Sequence, residues 1–512
     1  MTADVIVIGS GIGGLSCGAL LARYGFEVIV CESHTLPGGA AHGFVRDGYQ
    51  FDSGPSLYSG LSSRPSANPL RQVLDAIGED AAWQTYDTWG CCLPEGTFNT
   101  QVGADQFCTV LDKLRGPAAI AEWRQLQTLM RPYSAAAIAL PPAALRFDLG
   151  LLQTVSPFAW SLLSHVPQWL DLTGPFSKLM DRVVTDPFLR HWLDLLCFLL
   201  SGLPTTGTSA AEMAFMFADW YRPGGQLDYP VGGSAALVEA LVRGLQKYGG
   251  QLRLGAHVAE IEITGDRATG VRLTSGETLT ARRAVVSNAS IWDTLKLLPD
   301  HPQVRSLRQQ RQAIPPCDSF MHLHLGIDGA NLPDDLACHH IVVNDWEQGV
   351  TAPQNVVLIS IPSRLDASVA PPGKDTLNVY TPGNEPYALW QGLDRRSEAY
   401  QQLKTQRAEG MWQALEQVIP DIRDRVEVSL VGTPLTHERF LRRHRGSYGP
   451  AIAAGRGLFP GPQTPIAGLL CCGDSTFPGI GLPAVAASGF ITANTLAPLQ
   501  DHWALLQAIG LR

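Results

Sequence analysis

Gly9, Gly11 and Gly14, followed eighteen residues later by Glu32, form the first grouping in the chain able to do chemistry. In this G-x-G-x-x-G spacing Gly9 permits a tight turn. Gly11 lets the backbone approach a diphosphate, and Gly14 lets helix and strand pack closely. A carboxylate at Glu32 accepts hydrogen bonds from ribose hydroxyls and repels a 2′-phosphate. These residues need rigid elements to hold them. The apolar run Val5 to Ile8 predicts a parallel strand covered on both faces. A helix from about Gly13 to Tyr24 follows, its N-terminal amides aimed at the diphosphate. The second strand, Glu27 to Cys31, delivers Glu32 to the same edge, so the four residues read together as a dinucleotide site.

The chain has 512 residues, 45% apolar and 17% charged, with a net charge of −9. That length allows two or three domains with large buried cores. The acidic balance supplies no broad face for nucleic acid. Ten cysteines include the adjacent pairs Cys91-Cys92 and Cys471-Cys472 but no C-x-x-C, which predicts buried free thiols. A strand pattern beginning by Asp4 leaves no room for a signal peptide, and no run of 18 apolar residues predicts a membrane span. The expected location is cytoplasmic, with peripheral membrane contact allowed.

After Glu32 comes "PGGAAHGFVRDGYQFDSGPSL", in which Gly38-Gly39 precedes a short β-ribbon pattern. It resembles the extension carried by FAD-dependent oxidoreductases of the glutathione-reductase fold. "YPVGGSAALVEAL" opens an amphipathic helix with Leu237, Leu241 and Leu245 on one face, and "HVAEIEI" and "VVSNAS" follow as strands. Near the end, "GDSTFPGIGLPAVAASG" (Gly473 to Gly489) follows the apolar strand "GLLCC". With "SRLDASVAPPGK", these motifs are similar to those of the carotenoid desaturase and isomerase family, with retinol saturase as a relative, over nearly the whole chain.

The resemblance implies an α/β architecture: a Rossmann-type FAD-binding domain of glutathione-reductase type with an inserted α+β substrate domain. The expected cofactor segments are residues 1–70, 226–300 and 456–512, and the substrate segments 71–225 and 301–455. It implies FAD contacts at Gly9, Gly11, Ile12, Gly13, Gly14, Glu32, Ser33, Gly38, Gly39, Ala40, Gly54, Pro55, Ser56, Val258, Gly473, Asp474, Gly481, Leu482 and Pro483. Val258 would meet the adenine through its backbone. Asp474 would accept a ribityl hydroxyl, and Gly479 and Gly481 would clear space beside the isoalloxazine. Many family members carry arginine after the glycine pair; Ala40 stands there instead, which looks nearer to the isomerase and saturase branch.

The implied substrate is a hydrophobic polyene and the implied reaction cis–trans isomerisation through reduced flavin. Desaturation or saturation is the alternative, and a flavin-binding protein without catalysis is a third. No H-E-x-x-H is present, and no catalytic residue or metal site is assigned. His42 could lie near the flavin, and His322 and His324 share one strand face. "THERFLRRHRGSYG" reads either as a solvated helix face or as a phosphate, lipid-headgroup or tunnel-mouth site. The apolar stretches Ser134 to Leu170 and Trp192 to Leu203 read as core helices or as a lipid-facing entry.

Overall fold

A computed structural model describes residues 1–54 and 56–511. Two seven-stranded sheets organise it. The first is the dinucleotide sheet. Its strand Thr2–Ile8 lies between Val28–Cys31 and Thr278–Ser287, parallel to both, and Gln251–Arg253 extends it beyond Val28–Cys31. The strand Thr278–Ser287 is shared. Its first half pairs antiparallel with Arg267–Leu273, and its last three residues pair parallel with Leu469–Cys471. The C-terminal strand therefore ends beside the first strand's neighbour.

One helix layer covers this sheet: Ile12–Arg23, Ser234–Lys247 and Leu482–Leu496. Leu237, Leu241 and Leu245 are all buried against it. The first and last of these helices cross at glycines. A Cβ on Gly489 would lie 2.4 Å from the Gly13 carbonyl, and one on Gly14 would lie 2.1 Å from the Gly9 carbonyl. Only glycine admits backbones this close. The helix Pro69–Ile77, which straddles the expected boundary at residue 70, buries Leu70, Val73, Leu74 and Ile77 in this same layer.

The second sheet runs, by strand, Val426–Gly432, His322–Asp328, Lys374–Tyr380, Val356–Ser360, His339–Val343, Thr88–Leu93, Gly96–Gln101. Leu323, Leu325 and Ile327 face the helix Glu398–Val418. Of the alternate residues, His324 packs on the ribbon Gly43–Arg46/Tyr49–Asp52, 5.2 Å from the Phe44 ring, and His322 stacks on His324. The ribbon thus wedges between the sheets.

The two apolar stretches part ways. Pro187–Ser201 is a core helix whose Trp192 is fully buried and stacks on Phe107 at 4.7 Å. Burying a side chain of this size contributes about 1.5–3 kcal/mol. The other stretch breaks after Pro141-Pro142 into short helices, Leu151–Val155, Ala159–Ser164 and Val166–Leu172, that leave large apolar side chains in solvent. Among the described residues no helix is long and apolar enough to cross a membrane. The cysteines carry no disulfide, and all but Cys471 are buried.

Candidate cofactor and reaction site

Both glycine loops open at the same end of the first sheet. Gly9 takes φ +91° directly after the first strand, and Gly11 precedes the helix Ile12–Arg23. No acidic residue stands in that helix's first turn, so its amides and dipole meet no competing carboxylate. Gly38 sits beside Gly11 in a parallel bridge, its N–H donating to the Ser10 carbonyl at 3.0 Å. Gly38 and Gly39 have φ +113° and +56°, and a Cβ on Gly39 would lie 3.0 Å from the Gly11 Cα. Ala40 backs against Gly54, whose added Cβ would meet the Ala40 carbonyl at 2.1 Å.

Glu32 is buried at the end of the second strand. One carboxylate oxygen accepts from the Ser10 N–H (2.9 Å) and hydroxyl (2.7 Å), the other from the His34 N–H (2.8 Å) and the Ser33 hydroxyl (3.2 Å). The carboxylate is thereby fixed at the mouth of the loop. Ala256 donates its N–H to the Glu32 carbonyl at 2.7 Å, which brings Val258 to the same edge.

At the other end, Gly473 takes φ +94° and its N–H donates to the Ser488 hydroxyl at 2.7 Å. Gly481 caps the helix Leu482–Leu496 with φ +97°, and Pro483 lies in its first turn. A Cβ on Gly481 would meet nothing within 4 Å. The helix N-terminus therefore faces open space, with Gly481, Leu482 and Pro483 only partly buried. Ser56 reaches the second sheet, its hydroxyl 3.1 Å from that of Tyr380, while Pro55 lies outside the described residues.

Three residues join the site that the motifs alone did not single out. Asn288, at the end of the shared strand, places its carboxamide within 3 Å of the Cβ positions of Gly11, Gly13 and Gly473, so it links the two glycine loops. Ser10 holds Glu32. Arg443, from the basic stretch, donates to Asp474 and to the Ser447 and Tyr448 carbonyls. That stretch is not one solvated helix: it ends at Leu441, Arg442 turns left-handed at φ +51°, and Arg443 turns inward. Asn288, a neutral carboxamide at a strand end, is identified only by the glycines around it, whereas the run Arg442 to Arg445 conceals which basic residue points in.

Arg443→Gln is expected to lower the melting temperature measurably and to weaken flavin retention. It leaves the mostly buried Asp474 carboxylate without its cation and two carbonyls without donors, at about 1–3 kcal/mol per unpaired group. Arg443→Lys keeps the charge without the fork and should fall between. Thermal melts and flavin content per chain check both; an unchanged Arg443→Gln melt would remove the pair from this account.

Against the ribbon lies a buried imidazole cluster, with His324 packed on Phe44 and Phe51. His322 Nδ1 and His437 Nε2 share a hydrogen bond of 2.8 Å, and His324 stacks on His322 at 5.5 Å. His324 also bonds Asn378 Oδ1 at 2.9 Å, and Tyr380 stacks on His322 at 5.3 Å. Burial holds all three neutral: His322 falls well below the ordinary histidine value, His324 to about 4 and His437 to about 3. His42 bonds the Gly39 carbonyl at 2.8 Å and is lowered by burial as well. Among the described residues no cluster has the make-up of a metal site.

The residues fit FAD: unpaired helix-N-terminal amides at the first loop, a fixed carboxylate for a ribose, and open space before the second helix. The comparisons agree. The model of the flavin containing amine oxidoreductase family matches residues 12–497. Prolycopene isomerase 1 of an Oncidium hybrid cultivar is 32% identical, across 96% of this chain and 84% of its own. The Arabidopsis thaliana prolycopene isomerase is 30% identical, across 96% and 82%. The Danio rerio all-trans-retinol 13,14-reductase is 27% identical, across 92% and 82%. Among solved structures, a Methanosarcina mazei oxidoreductase superposes with a TM-score of 0.60 at 18% identity, covering 96% of this chain and 99% of its own. A putrescine oxidase does so with 0.61 at 15%, covering 96% and 98%, and shares the fold. The two-loop cradle on a Rossmann sheet, with these matches along almost the whole length, places the chain in the flavin containing amine oxidoreductase family as an enzyme whose cofactor is FAD.

Proposed function

We propose that the chain isomerises cis double bonds of a carotenoid-like polyene. The diphosphate would lie on Gly9 to Gly14, the adenosine ribose on Glu32, and the ring end at Asp474 and Gly481 to Pro483, with the two sheets as cofactor and substrate halves. FAD, when bound, supplies reversible two-electron chemistry. The protein supplies the rest. The amides before Leu482 favour negative charge at the ring's pyrimidine end. The neutral imidazoles of His322, His324 and His437, buried at the second sheet behind the ribbon, would present no charge to an apolar substrate.

The observation that carries this reading is an apolar surface leading to the second glycine loop. Leu149, Leu152, Trp160, Leu163 and Leu170 are 91%, 79%, 84%, 64% and 88% exposed. At the start of this stretch the Phe147 ring is 6.1 Å from that of Phe477, and Phe459 packs on Gly479. So large an exposed apolar patch is unusual for a soluble surface, and short helices bearing it suit the interface of a lipid bilayer. The polyene would enter there. The relatives named as prolycopene isomerases support the substrate class.

The test is an anaerobic incubation of the FAD-loaded enzyme with poly-cis carotenoid, with and without dithionite. Isomerisation only after reduction, without net oxidation, is expected. Product formed only with oxidised flavin and a quinone would mark a desaturase, and no product in either arm would end the polyene reading. Trp160→Ser, Leu163→Ser and Leu170→Ser combined should abolish turnover of vesicle-dissolved substrate while sparing detergent-dispersed substrate.

A further inference from the structure

A cavity of about 520 Å³ opens beside the loop that carries Arg443. Its walls bring together Lys296, Arg308, His444 and Arg445 with the apolar surface of Trp292 and Ile314. Three cationic side chains around one cavity, Lys296, Arg308 and Arg445, stand out in a chain of net charge −9. The nearby acid is already engaged. Asp293 accepts from the Ser290 hydroxyl (2.5 Å), the Lys296 ammonium (2.8 Å) and the His444 N–H (2.8 Å). Among the described residues neither Arg308 nor Arg445 has a carboxylate partner. Arg308 donates only to the Leu298 carbonyl at 3.4 Å, and Arg445 lies 5.8 Å over the Tyr387 ring.

The backbone holds this arrangement against its preference. Arg445 sits at φ +54°, ψ +18°, a left-handed conformation that costs about 1–2 kcal/mol for a residue with a side chain. Its neighbour His444 stacks on Trp292 at 4.8 Å, giving the cavity a planar floor. Strain retained at a loop, two guanidiniums without a carboxylate at ion-pair distance and a flat apolar wall are together the features of an anion site.

We propose that this cavity binds a phosphate-bearing small molecule. Its phosphate faces Arg308, Arg445 and Lys296, and its apolar or planar body lies along Trp292 and Ile314. The volume is within the roughly 300–1,000 Å³ of small-molecule sites. The guanidiniums offer paired donors to phosphate oxygens. The cavity is also wired to the flavin loop. Arg443 adjoins His444 and pairs with Asp474, and the Ile291 N–H, one residue before Trp292, donates to the Ser475 hydroxyl at 3.2 Å. An occupant is therefore sensed at the flavin as a shift in its absorbance, whatever the enzyme's substrate.

The test uses the FAD-saturated protein, so that the diphosphate loop is filled, and three probes: pyrophosphate, adenosine diphosphate and dihexanoyl phosphatidylglycerol. Calorimetry should find one-to-one binding of at least one probe, weakened by salt and by more than about tenfold in Arg308→Gln/Arg445→Gln, with flavin content unchanged. Tighter binding of the nucleotide than of pyrophosphate identifies a nucleotide-type ligand; tighter binding of the lipid identifies a headgroup. If the double variant does not fold, Lys296→Gln, whose side chain is 62% exposed, serves instead with a loss of about threefold. Binding by none of the probes, or equal binding to the variants, overturns the proposal.

Discussion

Gly481→Leu is expected to give a folded protein that purifies without its flavin. Gly481 has φ +97° and ψ +153°, a region essentially confined to glycine, so any side chain there incurs backbone strain, about 1–3 kcal/mol. No clash adds to it, because a Cβ at this position meets nothing within 4 Å. The new side chain instead fills the open space before the helix Leu482–Leu496, where the ring end of FAD is proposed to lie. Loss of that space should lower FAD affinity by more than about a hundredfold, equivalent to roughly 2.8 kcal/mol. Gly276→Leu is the control. Gly276 has φ +88° and equally empty surroundings, but it lies in the hairpin between Arg267–Leu273 and Thr278–Ser287. It carries similar strain and should stay yellow. Flavin absorbance per chain, with circular dichroism to confirm folding, separates the two. A Gly481→Leu protein with a full complement of FAD would falsify the placement of the ring.

Acidification is expected to destabilise the protein steeply from pH 6.5 downward. His322, His324, His437, His339, His340 and His502 are all buried, and burial lowers each below the ordinary value of 6.5. His324, His340 and His502 fall to about 4, and His437 and His339 to about 3. A depressed histidine stabilises the fold above its unfolded value. That contribution disappears as the pH falls toward the folded value, because the unfolded chain takes up the proton first. Each group changes stability by about 1.4 kcal/mol per pH unit across the window. Asp52, buried and raised to about 6, acts in the opposite sense, as do the half-buried Glu212 and Asp219 and the exposed Asp318, each raised as well. They are fewer, so the histidines set the slope. Urea denaturation at pH 7 and pH 5 should show the loss. His324→Gln should reduce the slope by about 1.4 kcal/mol per unit. A flat profile would mean that these imidazoles are not buried neutral in solution.

The first forty residues were legible because local chemistry dictates them. The expected helix, about Gly13 to Tyr24, is Ile12–Arg23, and the expected strand to Cys31 is Val28–Cys31. Glycine spacing, an apolar run and one acid suffice there. The ribbon and the late helix were legible for the same reason. What was not legible depends on contacts between distant segments. Nothing near Asn288 in the chain says that Gly11, Gly13 and Gly473 will surround it. His322 and His324 announce a shared face, but their partner His437 arrives from 115 residues away. Asp52 sits in a cofactor-like motif, yet its carboxylate holds the Ser234 N–H at 2.9 Å and so anchors the start of another helix. Composition likewise could not separate the two apolar stretches, since Trp192 and Trp160 belong to similar sequences and end on opposite sides of the surface.

The shared strand Thr278–Ser287 bears on how the enzyme is made. Its last three residues stay without their outer neighbour until Leu469–Cys471 arrives, and the helix that follows opens at the loop where the ring end of FAD is proposed to lie. A growing chain emerging from the ribosome can form the early turn, helix and strand, but it cannot enclose a flavin until almost the last residue is synthesised. Such long-range closure is slow to fold and leaves apolar edges exposed while it waits. On the proposed placement, cofactor capture is a late, whole-chain event that acts as a latch on assembly: C-terminal truncation would remove the latch, however intact the nucleotide motif at the beginning remains.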